Sequence, residues 1–134
     1  MELHLTPLQL TDHDDKRPIV IAGPCSAETE EQVMNTATQL AKKGVKLFRD
    51  GIWKPRTKPG GFEGVGEPGL AWLNEVQKET GMKVCTEVAT RNHVEACLKA
   101  GVDLLWIGAR TVANPFATVS YTHLRAHETR SNLV

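Results

Sequence analysis

Short apolar runs and longer amphipathic stretches take turns along this chain. The run Pro18-Ile19-Val20-Ile21-Ala22-Gly23 is apolar and β-branched, which predicts a strand buried on both faces. A helix is predicted next. Thr29 followed three residues later by Gln32 makes a capping box, Val33, Ala37, Leu40 and Ala41 recur at helical spacing, and Gly44 closes the element. Val45-Lys46-Leu47-Phe48 predicts a second strand, leading to Arg49 and a loop. Pro68 stands where a first helical turn tolerates it, Leu70, Leu73 and Val76 form an apolar stripe, and Gly81 ends that helix. Met82 to Val88 predicts a third strand. Thr90 then caps a third helix carrying Val94, Cys97 and Leu98, and Gly101 stops it before a fourth strand from Val102 to Gly108.

Strands alternating with helices of this length predict βαβ units, a parallel sheet and the α/β class. Right-handed crossovers put every helix on one side if the strand order progresses in one direction, as in a barrel, and on both sides if the order reverses. Periodicity leaves those two open. Residues 1–17 read as a polar lead-in and residues 18–117 as the folded unit. Residues 118–134, TVSYTHLRAHETRSNLV, have neither helical stripe nor strand alternation. They resemble the translation of a sequencing adapter, which predicts a non-native tail and removes His123 and His127 from any metal site; a genuine polar tail is the alternative.

Composition narrows the function. The 134 residues suit one ordinary domain, and 16 basic residues balance 16 acidic ones, so no overall field favours nucleic acid or an anionic membrane. Any anion site is local, and its ligand a small one. No apolar run reaches the roughly 18 residues of a membrane span, and the amino terminus MELHLTPLQL lacks the pattern of a signal peptide. Three cysteines without CxxC spacing fit a reducing compartment. A cytoplasmic protein is expected.

Candidate chemistry collects just after the predicted strands: Cys25 and Ser26 after the first, Arg49, Lys54 and Arg56 after the second, Glu87 near the end of the third, Arg110 after the fourth. In α/β barrels that end builds the active site, because loops from separate strands converge there. Arginine offers phosphate and carboxylate a planar fork, and lysine a compact charge. Solvated surface cations are the alternative for each. Cys25 has three readings: a small buried hydrophobe, a nucleophile, or a metal ligand. Glu87 is a base, an ion-pair partner of the cations, or solvated. Cys85 and Cys97 read as core, and His93 as surface. In WKPRTKPGGFEGVG, positions 53 to 66, proline stiffens the charged part, while Gly60, Gly61, Gly64 and Gly66 let the chain turn back toward the next helix.

Together, IAGPCSAETEEQV, FRDGIWKPRTKPGGFEGVG and WIGARTVANPF resemble the 3-deoxy-D-arabino-heptulosonate 7-phosphate (DAHP) synthases, in their short form. The resemblance runs from about Arg17 to Ala117 and implies a (β/α)8 TIM barrel of which this chain holds the first four strands and three helices. It implies an enzyme of the shikimate pathway that condenses phosphoenolpyruvate with erythrose 4-phosphate, with a divalent metal ion as cofactor and homo-oligomers at full length. It implies that Cys25 is a metal ligand and that Arg49, Lys54, the Ala109 amide and Arg110 bind phosphoenolpyruvate. Lys54, Pro55, Arg56 and Thr57 match the erythrose 4-phosphate motif, and Glu87 an acidic residue close to the reacting groups, so that Lys54 and Glu87 are the candidate catalytic pair. A complete barrel needs about 200 to 250 residues, so this chain by itself is expected to be inactive. The alternatives are the sister 3-deoxy-D-manno-octulosonate 8-phosphate synthase, whose loop typically reads Lys-Ala-Asn-Arg at this place, and a non-catalytic phosphate-binding fragment.

Overall fold

A computed structural model of the chain describes residues 18–54, 56 and 60–114. The lead-in, Pro55, Thr57 and the tail lie outside the described residues. The elements run β1 (Ile21–Ala22), α1 (Glu30–Lys42), β2 (Leu47–Arg49), α2 (Pro68–Thr80), β3 (Lys83–Val88), α3 (Arg91–Ala100), β4 (Leu104–Ile107) and a single turn, α4 (Ala109–Val112).

Local chemistry sets the helix ends. The Thr29 hydroxyl accepts from the Gln32 amide at 3.2 Å, while the Gln32 side chain reaches back to accept from the Glu28 amide at 2.9 Å. This is the expected capping box moved one residue outward at its return bond. At the other end Gly44 donates to Ala41 and Val45 donates to Leu40, the paired bonds that close a helix through a left-handed glycine. Pro68 opens α2, and Gly81 and Gly101 end α2 and α3 in the left-handed region.

The four strands are parallel and lie in the order β1-β2-β3-β4. α1 packs on α2, and α2 on α3. A strand order that progresses in one direction, with successive right-handed crossovers laying neighbouring helices side by side, is a stretch of barrel wall and not a doubly wound sheet. Phe48, Val84, Val88 and Leu105 face the helices and meet Val33, Ala37, Leu73, Val76, Val94 and Cys97 in the main core. On the opposite face Leu47, Cys85 and Leu104 form a second, smaller cluster with Trp106. Period-two alternation along the strands produces the two layers. Away from the site, Asp103 braces β3: its Oδ2 accepts from the Val84 amide and from Gln77 Nε2, each at 2.8 Å.

Two expectations are corrected. The first strand is shorter than its apolar run and is not buried on both faces: Val20 is 57% and Ile21 43% exposed. β1 is an edge strand with β2 as its one neighbour among the described strands, so half of its surface lacks a partner. Leu98, counted in the third helical stripe, is exposed, because Val94 and Cys97 already fill the contact between α3 and the sheet. Beyond β4, Ala109–Val112 form the helical turn α4.

Candidate active site

The residues at the carboxyl ends of the strands share one face. Leu47, Cys85 and Leu104 make the inner apolar layer, and two residues further along each strand stand Arg49, Glu87 and Trp106. Register places Arg49 opposite Cys85 and Glu87 opposite Trp106. The Arg49 guanidinium lies over the Trp106 ring, 4.7 Å from its centroid, an arrangement in which the electron-rich indole face orients the cation. Arg49 Nε is buried without a hydrogen-bond partner. Trp106 was missed as a site residue, although its place two residues beyond Leu104 signals the shared face. Gly108 admits Glu87: a Cβ there would overlap the carboxylate oxygen Oε1. Among the described residues no ion pair joins Glu87 to Arg49, Lys54 or Arg56, so its expected pairing with those three cations is not seen.

After β2 the chain forms a hairpin. The Lys54 amide donates to Glu63 O at 2.8 Å and the Gly66 amide to Ile52 O at 2.9 Å. Ile52 is fully buried in the helix-side core, and Lys54 is buried except for a small remainder. Lys54 Nζ donates to Cys25 Sγ at 3.4 Å, linking the ends of β1 and β2. Room for this ammonium comes from Gly51, where a Cβ would stand 2.5 Å from Nζ and 2.6 Å from the Cys25 carbonyl oxygen. Arg56 is exposed on the hairpin, its Nε donating to Phe62 O at 2.8 Å. Ala109 begins α4 and Arg110 follows it. The structure thus brings Cys25, Arg49, Lys54 and Glu87 to one end of the sheet, with Arg56 on the hairpin that leaves it.

Cys25 is exposed, which removes the reading of it as a buried hydrophobe, whereas Cys85 and Cys97 are core as expected. Burial pushes both inner thiols up to about 12; for Cys85 the Arg49 charge opposes that shift and Asp103 adds to it. Alkylation of the folded protein at pH 8 is therefore expected to label Cys25 well before Cys85 or Cys97, because thiolates react and buried thiols do not ionise. Peptide mapping that found the three labelled at equal rates would contradict this placement. Among the described residues no three histidine, cysteine or acidic side chains gather to hold a metal ion. One sulfur does not retain a divalent ion, so the described donors do not fit that cofactor by themselves.

Two further residues have surroundings that the sequence did not signal. His93 is half-buried, and its ring stacks on Trp53 with centroids 4.1 Å apart and planes 5° from parallel. Burial lowers the imidazole's pKa from 6.5, with Glu67 acting the other way, and Nδ1 accepts from the Ala89 amide at 3.3 Å. The neutral ring makes that bond. Asp50, which drew no attention in the sequence, has no exposed surface and no hydrogen-bond partner for either carboxylate oxygen. Burial raises its pKa from 3.8 to about 7, against the opposing influence of the Gly51 amide, which approaches without full hydrogen-bond geometry, and of the Arg49 and Lys54 charges. Asp50 follows Arg49 on the helix-facing side, where the continued register sets it beside Thr86, whose buried hydroxyl is also unpartnered.

A parallel wall of barrel type, with arginine, lysine, cysteine and glutamate drawn to the carboxyl ends of its strands, defines an α/β protein built like the (β/α)8 enzymes. The sequence pattern of the DAHP synthetase I family matches residues 6–124, and the chain belongs to that family. It is 43% identical over 95 residues to the phospho-2-dehydro-3-deoxyheptonate aldolase of Thermotoga maritima, covering 71% of this chain and 28% of that one. The crystal structure of that aldolase, also called DAHP synthase, superimposes with a TM-score of 0.64 at 44% identity, over 70% of this chain and 27% of its own. The 2-dehydro-3-deoxyphosphooctonate aldolase of Paraburkholderia phymatum is 33% identical over 88 residues, covering 60% of this chain and 31% of its own. The chain spans under a third of the length of these relatives.

Proposed function

We propose that this segment supplies part of the active site of a synthase that joins phosphoenolpyruvate to erythrose 4-phosphate, giving DAHP and inorganic phosphate. The observation that carries the reading is the convergence of Arg49, Lys54 and Glu87 at the carboxyl end of the sheet in a chain of this family. Two phosphorylated substrates repel one another, and cations fixed in a partly buried site offset that repulsion and hold the reacting carbons close.

Arg49, with its guanidinium oriented by Trp106, binds the carboxylate or phosphate of phosphoenolpyruvate together with Arg110 and the Ala109 amide. Lys54 reaches both substrates, and Pro55, Arg56 and Thr57 complete the site for the tetrose phosphate. In the reaction, carbon 3 of phosphoenolpyruvate attacks the aldehyde, whose oxygen takes a proton. Water adds at carbon 2, and the bond from that carbon to the phosphate oxygen breaks. Lys54 stabilises the negative charge that develops on oxygen, and Glu87 is the carboxylate that takes the proton from water. Cys25, exposed at the end of the first strand, is one donor toward a divalent ion whose further ligands are not among the described residues.

The test is a full-length enzyme carrying residues 18–114 of this chain in place of the segment they match in the Thermotoga maritima enzyme. Phosphate release is expected with phosphoenolpyruvate and erythrose 4-phosphate, and little with arabinose 5-phosphate. Preference for the pentose phosphate would favour the octulosonate reaction, a reading supported by relatives such as the Paraburkholderia aldolase. Binding of phosphoenolpyruvate without turnover would instead indicate a binding role.

A further inference from the structure

The hairpin that carries Lys54 and Arg56 is held at its base by a contact outside the charged site. Ile52, Trp53 and Lys54 anchor to different parts of the molecule. Ile52 enters the helix-side core, Trp53 lies flat on His93, and Lys54 Nζ reaches Cys25 Sγ. The hairpin's backbone bonds, Lys54 to Glu63 and Gly66 to Ile52, join its two limbs to each other without fixing its tilt against the sheet. His93 is itself well secured: its amide donates to Thr90 Oγ1 at 3.3 Å, and its ring nitrogen Nδ1 takes the Ala89 amide. Ala89 directly follows β3, the strand that carries Glu87.

We propose that the Trp53–His93 stack is a latch that sets the tilt of the Lys54–Arg56 hairpin against the strand bearing Glu87, making both rings positioning residues for the anionic sugar substrate. Neither ring bears a charge that the substrate needs, and His93 meets the hairpin base at Trp53 and the turn after β3 at the Ala89 amide. The latch ties the hairpin to the turn after β3, and supports of this kind fix how a bound substrate is oriented. The inference rests on the function proposed above, as it names what orients the same site.

In the full-length enzyme carrying this segment, His93→Ala is expected to raise the KM for erythrose 4-phosphate about tenfold with kcat changed by less than about threefold, the signature of lost binding and not of lost chemistry. His93→Phe, which keeps a flat ring against the indole, should restore most of that loss. Hydrogen exchange gives a second readout: His93→Ala and Trp53→Leu should each speed exchange of the Lys54 and Gly66 amides while leaving the α1 amides as in the parent. Unchanged KM and unchanged exchange would overturn the latch. So would a uniform rise in exchange, or failure to fold without either ring, since the stack would then hold the whole fold. A parent enzyme that turns over neither sugar phosphate would sink the proposed function, and the exchange measurements would still decide the latch.

Discussion

Replacing Lys54 by methionine in the full-length enzyme carrying this segment is expected to lower kcat/KM for the condensation by about a hundredfold or more, while the thermal midpoint stays within a few degrees of the parent. The magnitude is that of removing one preorganised donor from a site where charge develops. The small stability effect follows from the surroundings. Lys54 is almost wholly buried, and its side-chain ammonium has one hydrogen bond among the described residues, to Cys25 Sγ. Among the described residues no carboxylate forms an ion pair with that ammonium, so methionine, which keeps the length of the stem without the charge, breaks no salt bridge. Progress curves of phosphate release and a melting experiment on the same preparation make the comparison. A rate equal to the parent's would remove Lys54 from the reaction, and a large loss of stability would make it a structural residue.

Asp50 gives the opposite kind of result. Asp50→Asn is expected to stabilise the protein at pH 8 and to change little at pH 4. The native pKa is raised from 3.8 to about 7 by burial, so the folded state favours the protonated acid. Below the unfolded value both states are protonated and the group is neutral in its effect. As the pH rises from about 4 to about 7 the unfolded chain gives up the proton before the folded one, and stability falls. Above about 7 the full penalty remains, on the order of 4 kcal/mol at 1.36 kcal/mol for each tenfold change in proton affinity. Asparagine preserves the shape and removes the charge that must be desolvated. Denaturant unfolding at several pH values should show the variant's advantage growing between pH 4 and pH 7. Two parallel pH profiles would refute the account.

The elements were largely legible because their signals are local. Thr29 and Thr90 cap helices through hydroxyls that reach three residues ahead, and Gly81 and Gly101 take left-handed φ values that end them. Such contacts are made within a few residues, so one stretch of sequence contains both partners. The same holds for the apolar stripes of α2, where Leu70, Leu73 and Val76 are all buried. Burial across the sheet was less legible. The first apolar run reads like an interior strand, yet what covers a strand depends on its neighbours, and β1 has one. The ring contact of His93 and the burial of Asp50 were not legible for a related reason: the Trp53 ring and the desolvating environment come from segments far away in sequence or from the packing as a whole.

For the candidate site, the motifs GPCS and KPRT and the run WIGAR already pointed to the family and to Cys25, Arg49, Lys54, Arg56, Glu87 and Arg110. The sequence by itself determined the residue types, their order along alternating strands and helices, and hence the gathering of cationic side chains toward the carboxyl ends of the strands. Only the tertiary structure decided that the strand order runs one way, that Trp106 orients Arg49, that Lys54 meets Cys25, and that His93 stands behind Trp53. Those are contacts between residues tens of positions apart. They depend on the register of parallel strands and the path of each crossover, which the hydrophobic pattern of a single segment does not encode.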